Sequence, residues 1–293
     1  MRFRITGVLA LGGQSIVYSA YDEEKGERVA VKMERPGPLE SRGRRLEKEA
    51  EVLAAVHSRH VVGFRGAGFD PDCGQFVLVE ELLRGTSLST LLDGGDRPGP
   101  GVALEMIRQI ASGLEALHKA GFIMRDLSPD QVVIHPAASV KCVLVDLGLT
   151  RRMALDTGLT APGAVAGTPG FVAPELLTDV PASTASDTYS LAALAYLLLT
   201  GESPFPDLAP ETVLALQAAG EAPEPELSHD LPAESQQQVR ELFQRSLSAD
   251  PACRPQSPAD FSRQLEAAYR PRTGLTLLDR LLGRKPATEE PDS

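Results

Sequence analysis

Cysteine is scarce in this chain and basic charge is in deficit. Three cysteines, Cys73, Cys142 and Cys253, lie far apart in 293 residues without metal-ligand spacing. They support neither a disulfide framework nor a cysteine-built metal centre, and they suit a reducing, cytoplasmic compartment. Lys and Arg number 29 against 40 Asp and Glu, a formal net charge of -11. Nucleic acids and anionic membranes both demand a basic face, so neither is expected as a partner. The basic run "RGRR" at residues 42–45 is diluted by Glu47, Glu49 and Glu51 and reads as a solvated helix face. Long apolar runs are also missing. The stretch "LAALAYLLLT" (Leu191 to Thr200) is about half the ~20 residues of a membrane span. A helix apolar on all sides belongs in a core. The opening "MRFRITGVLALGG" has the basic start of a signal peptide, but it runs into glycines and a strand-like segment without a cleavage site. No internal repeat is present.

What the chain does have is a change of rhythm. From Arg2 to Glu81 it reads mostly as strands: "RITGVLAL", "SIVYSAYD", "RVAVKME", "VVGFRGAGFD" and "QFVLVEE", separated by Gly, Asp and Pro turns. One helix interrupts them, with Leu46, Ala50, Leu53 and Val56 at helical spacing. From Ser87 onward the period is helical. "VALEMIRQIASGLEALHKAG" puts Leu104, Ile107, Ile110, Ala111, Leu114 and Leu117 on one face and stops at Gly121. "DGGDRPGPG" (Asp93 to Gly101) and "EAPEPELSHDLP" (Glu221 to Pro232) read as linkers. The ending "KPATEEPDS" has the composition of a disordered tail. The expected organisation is a strand-rich N-terminal lobe over 1–83, a helical lobe over 84–268 and a tail over 269–293.

Phosphoryl transfer needs a backbone cradle for phosphates, a cation on them, a carboxylate-bound metal and a base near the attacking hydroxyl. Each has a candidate. "VAVK" places Lys32 on a strand, and Glu49 in "EKEAEVLAAV" is positioned on the helix to aim its ammonium. "RDLSPDQ" supplies Asp126 as base, and "VLVDLG" supplies Asp146 at a strand end as metal carboxylate. Taken singly, a strand Lys or helix Glu is more often a surface charge, and "DLG" more often a turn. Their joint order reverses that weighting.

With these motifs in sequence, residues 3 to 268 resemble a bacterial-type, eukaryotic-like protein serine/threonine kinase. Three further matches are "APE" (Ala173 to Glu175), "SDTYSL" with Asp187, and "DPACRP" with Arg254. The resemblance implies an α+β, two-lobed fold, with a small antiparallel β lobe carrying one helix and a larger mainly helical lobe. It implies ATP with Mg²⁺, or Mn²⁺, as cofactors, and a protein substrate with a Ser or Thr acceptor. Nucleotide contacts are implied at Ala10, Gly12, Gly13, Ser15, Val17, Ala30, Lys32, Glu81, Leu83 and Val133, and metal contacts at Asp146 and Gln131. Tyr18 is placed in the adenine slot with Val17, Ala30 and Val133. Glu175 is expected to pair with Arg254 for stability, and Asp187 to hold the catalytic-loop backbone. Pro129 and Thr168 match the serine/threonine branch, while Ser128 stands where that branch has lysine.

Several positions depart from the family pattern. The glycine loop reads Ala10, Gly12 and Ser15, Met124 replaces a histidine, and Ser128 replaces a lysine that reaches the transferring phosphate. Gln131 replaces a metal-binding asparagine; its amide oxygen suits Mg²⁺ but sits one methylene further out. Glu80 falls beside the adenine pocket, where an apolar residue or threonine is usual; a slip of one residue puts Val79 there and moves the hinge contacts from Glu81 and Leu83 to Glu80 and Leu82. Two readings follow: an attenuated kinase, or a pseudokinase binding a nucleotide or partner without turnover. A small-molecule phosphotransferase is disfavoured by "GTPGFVAPE" and Arg254. Arg125 precedes the base, which makes Thr160, then Thr157, candidates for activating phosphorylation.

Overall fold

The computed structural model describes residues 3–12, 15–35, 44–71, 74–135, 140–153, 168–178, 180–205, 209–220, 222–227 and 231–269. Its first part runs β1 (Phe3–Leu11), β2 (Ser15–Asp22), β3 (Glu27–Glu34), α1 (Arg44–Ala55), β4 (Phe64–Asp70) and β5 (Gln75–Glu81). The strands form one antiparallel sheet in the order β1-β2-β3-β5-β4. Side chains alternate between the faces of a strand. Ala20, Val29, Val31, Val77 and Val79 accordingly build a small apolar cluster on one face, leaving Ala30, Lys32 and Glu80 for the other. Helix α1 buries Leu46, Glu49, Ala50 and Leu53, spaced three and four residues apart. Glu49 thus shares the apolar face and is fully buried, which separates it from the solvated charges Glu47 and Glu51.

The strand expected from Val61 begins later, at Phe64. Val61 makes an isolated parallel bridge to Leu144 instead. After β5 come β6 (Thr86–Ser87), α2 (Leu88–Asp93) and α3 (Pro100–Lys119). Helix α3 takes in the end of the expected linker because Pro100 sits in its first turn, where a missing N–H costs nothing. It ends before Gly121, whose φ of 86° is open to glycine without strain. Then follow β7 (Phe122–Ile123), a 3₁₀ turn at Pro129–Gln131, β8 (Val132–His135), β9 (Lys141–Leu144) and β10 (Arg151–Arg152). The remainder is helical: α4 (Thr184–Thr200), α5 (Pro210–Ala219), α6 (Ala233–Ser246) and α7 (Pro258–Ala268). Residues Leu191 to Ala195 of α4 are wholly buried, as expected of an all-round apolar helix.

One core joins the two halves. It runs from α1 and Leu78 of the sheet through α3, β8 and β9 into α4, α6 and α7. This is the α+β two-lobed kinase arrangement implied by the motifs. Among the described residues no helix is long and apolar enough to cross a membrane. Gly13, Thr157, Thr160 and the tail after residue 269 lie outside the described residues.

Candidate active site

A cleft of about 510 Å³ opens where the sheet meets the helical part, a size typical of small-ligand sites. Ala10, Gly12, Ser15 and Val17 line it from β1 and β2, with Ala30 and Lys32 from β3, Glu81 and Leu83 after β5, and Val133 from β8. The nine described positions of the ten expected nucleotide contacts therefore converge here. The Gly12 N–H donates to the Ser15 carbonyl at 3.0 Å, closing the turn between β1 and β2. Tyr18 does not line the cleft. It packs on the opposite face with Val29 and Val31, because neighbours on a strand point opposite ways. The same alternation settles the register at β5: Val79 belongs to that far cluster, whereas Glu80 lines the cleft.

Sequence reasoning missed the polar mouth formed by Gly85, Thr86, Ser87, Thr90 and Asp130, and apolar contacts from Leu9, Val62 and Val145. The mouth is tied together by hydrogen bonds. Ser87 caps α2 by accepting from the Thr90 N–H, and the Ser89 hydroxyl donates to Asp130 Oδ1 at 2.5 Å. Gly85 has a steric reason: a Cβ there would collide with the Ile134 carbonyl. Only the N-cap Ser87 carried a local signal.

Lys32 is 4% exposed and its ammonium donates to both Glu49 oxygens at 2.8 and 2.9 Å and to Asp146 Oδ1 at 2.7 Å. Burial works to lower its pKa, but Glu49 and Asp146 outweigh it and hold the group above the ordinary lysine value. At Asp146 burial works upward, and Lys32, with Arg45 and the Gly148 N–H, leaves the carboxyl below its ordinary value. Asp146 is therefore an ionised hard-oxygen group, and 43% of its side chain is exposed. Its φ of 55° is a left-handed conformation that costs a non-glycine residue about 1–3 kcal/mol. The strand β9 delivers the chain to this turn.

Asp126 and Gln131 are not among the cleft-lining side chains; they stand on the loop leading into β8, whose Asp130 and Val133 do line it. Asp126 is half-buried. Its Oδ1 accepts from the Thr168 N–H at 3.1 Å and hydroxyl at 3.3 Å. Burial pushes its carboxyl upward against those two bonds, with Asp146 adding to the rise, which makes it a stronger proton acceptor. Asp187, fully buried, receives the backbone N–H groups of Met124 and Arg125 at 2.9 Å each and faces His118 Nε2 at 2.7 Å. Arg125 is held at φ 71°, so the loop before Asp126 is set by backbone bonds. Met124, Leu147 and Leu53 are each 1% exposed within one core, so Met124 serves as an apolar core side chain where the family has histidine.

Ser128 and Gln131, the two departures on this loop, are partners. The buried Ser128 hydroxyl donates to Gln131 Oε1 at 2.5 Å, so the longer amide is turned toward the position where a lysine is absent. The donor set of Asp146 carboxylate and Gln131 amide oxygen suits Mg²⁺ chemically. Among the described residues no cluster of three or more His, Cys, Asp or Glu is placed to hold a metal; an ion here would complete its shell with phosphate oxygens and water.

Below the site, Arg254 donates to Glu175 Oε1 and Oε2 at 2.7 and 2.8 Å, and its guanidinium lies 4.9 Å from the centroid of Tyr189. The Ser186 hydroxyl also donates to Glu175, at 2.7 Å.

Comparison with known proteins matches this arrangement. Residues 3–265 match the protein kinase domain family. The chain is 35% identical over 274 residues to the serine/threonine-protein kinase pkn2 of Myxococcus xanthus, covering 92% of this chain and 32% of that protein. It is 33% identical over 276 residues to the serine/threonine-protein kinase PknA of Mycobacterium tuberculosis, covering 91% and 61%. It is 30% identical over 262 residues to PknD of the same species, covering 89% and 38%. The chain thus spans less than two thirds of the length of these curated relatives. With the sheet, the cleft and the Lys32–Glu49–Asp146 cluster in place, the match over nearly its whole length means that the chain belongs to the protein kinase domain family.

Proposed function

We propose that the chain is a protein serine/threonine kinase that transfers the γ-phosphoryl group of ATP, with Mg²⁺ or Mn²⁺, to a Ser or Thr hydroxyl of a protein at an attenuated rate. The carrying observation is Lys32, buried and charged at the inner end of the cleft, bonded at once to Glu49 and Asp146. A cation fixed by two carboxylates is pre-organised for phosphate oxygens. Val17, Ala30 and Val133 give apolar walls for the base, and the backbone of Glu81 and Leu83 supplies its edge contacts. Asp146 and Gln131 would hold the metal, which neutralises charge on the phosphates when bound. Asp126 takes the proton of the acceptor hydroxyl while Thr168 fixes its orientation. The names of the relatives and the Thr168–Asp126 bonds support serine or threonine as acceptor, and the scarce, widely spaced cysteines support a cytoplasmic setting. Phosphorylation of Thr160 by the protein itself is expected. Mass spectrometry of wild-type and Asp126→Ala protein tests this: phosphate in wild type alone is the expected result.

One observation favours the pseudokinase reading: the Gln131 amide oxygen is engaged by Ser128. A ligand misplaced by about 1 Å costs roughly 10²-fold in rate, and the missing lysine removes a charge from the transferring phosphate. A turnover series decides between the readings. Because the two side chains bond each other, their effects are coupled. Gln131→Asn and Ser128→Lys should each raise turnover at saturating ATP. The double change should raise turnover further, by a factor that departs from the product of the two, and Met124→His should change little. Bound nucleotide with no turnover in any variant would assign the pseudokinase role.

A further inference from the structure

Glu80 differs from the other charged groups deep in the cleft. Lys32 and Asp146 satisfy each other, whereas Glu80 is 7% exposed and its Oε1 is buried with no hydrogen-bond partner. Native folds rarely leave such an atom unmet, so its partner is to be sought in what fills the cleft. The register places it. On the β3–β5 pairing Ala30 stands opposite Glu80 and Lys32 opposite Leu78, so Glu80 is on the cleft-facing side of the sheet, two residues along from the partner of Lys32. Beside it are the apolar walls Val17, Ala30 and Val133, suited to the faces of a planar base. The side chain therefore meets the edge of that base.

We propose that Glu80 reads the nucleobase: its carboxyl, which lines the cleft, turns its unpartnered oxygen to accept an N–H of an exocyclic amine, so that the cleft selects a 6-aminopurine over a purine lacking the amine. The inference rests on the nucleotide-binding part of the proposed function and adds a selectivity to it. Burial pushes the Glu80 carboxyl up to about 8, with Glu49 and Asp146 adding to the rise and Lys32 opposing it. Protonated or not, the group keeps an acceptor oxygen for the amine. The protonated acid can also donate to a 6-oxo group, so the comparison that isolates the acceptor is ATP against purine riboside triphosphate rather than GTP.

The test is calorimetric titration of wild type, Glu80→Gln and Glu80→Met with both triphosphates in Mg²⁺. The wild-type preference for ATP should exceed that of Glu80→Met by about tenfold, the scale of one hydrogen bond to a group otherwise left unpaired. Glu80→Gln, which keeps a carbonyl acceptor at nearly the same place, should retain most of it. A merely structural effect would weaken both nucleotides equally and leave the ratio unchanged. Equal ratios in wild type and Glu80→Met, or a loss in Glu80→Gln as large as in Glu80→Met, overturn the inference alone. Failure of wild type to bind either triphosphate overturns it together with the reading it rests on.

Discussion

Replacing Asp126 by alanine should lower phosphoryl transfer by about 10²–10⁴-fold, the range of a lost general base, while ATP affinity and melting temperature stay near wild type. The separation follows from where the side chain sits. Asp126 does not line the cleft that would take the nucleotide, so its loss leaves the nucleotide contacts intact. It is half-buried, so water can replace it on the Thr168 N–H and hydroxyl that it now accepts from. Asp126→Asn, which preserves the shape and one acceptor oxygen, should lose nearly as much activity because an amide takes up no proton. Steady-state rates with thermal melts and nucleotide titration on the same preparations check this. A parallel fall in rate and nucleotide affinity would place Asp126 in binding instead.

Arg254→Ala should be the most damaging single change to stability among the residues discussed. The guanidinium is fully buried against Glu175, itself 6% exposed. It also donates to the carbonyls of Ser248 at 2.9 Å and Ala185 at 3.1 Å. Removing one partner of a buried ion pair strands the other and costs about 3–5 kcal/mol, a large share of the 5–15 kcal/mol typical of a folded domain. The expected fall in melting temperature is about 10 °C. The double change Glu175→Leu, Arg254→Met should cost less than Arg254→Ala, since it leaves no buried charge. A shift under about 2 °C for Arg254→Ala would mean that the pair contributes nothing net.

Strand-forming runs bounded by turn residues located β2 and β5 to the residue, and three-and-four spacing located α1 and α3, because each helix buries one face against the core. The Lys32, Glu49 and Asp146 cluster was legible from motif order alone. Tyr18 was misplaced although alternation carried the signal: with Val17 facing the cleft, its neighbour faces away. Other features had no local signature. Asp130 joins the capped pair Ser87 and Thr90 only because β6 pairs with β8, a contact between residues more than forty apart. The Ser128–Gln131 bond depends on two side-chain rotamers, which no spacing rule encodes. Glu80 was visible as an oddity, but its unpartnered oxygen emerges only once the packing around it is fixed.

The most direct measurement of whether this altered site still performs chemistry is transfer of label from γ-labelled ATP, in Mg²⁺ and then Mn²⁺, to a serine- and threonine-containing acceptor protein. Wild type and Asp126→Ala are purified identically and run side by side. The account predicts slow labelling of phosphoserine or phosphothreonine by wild type and none above background by Asp126→Ala. Equal labelling by both, or saturable ATP binding by wild type with no label transferred in either metal, would contradict it.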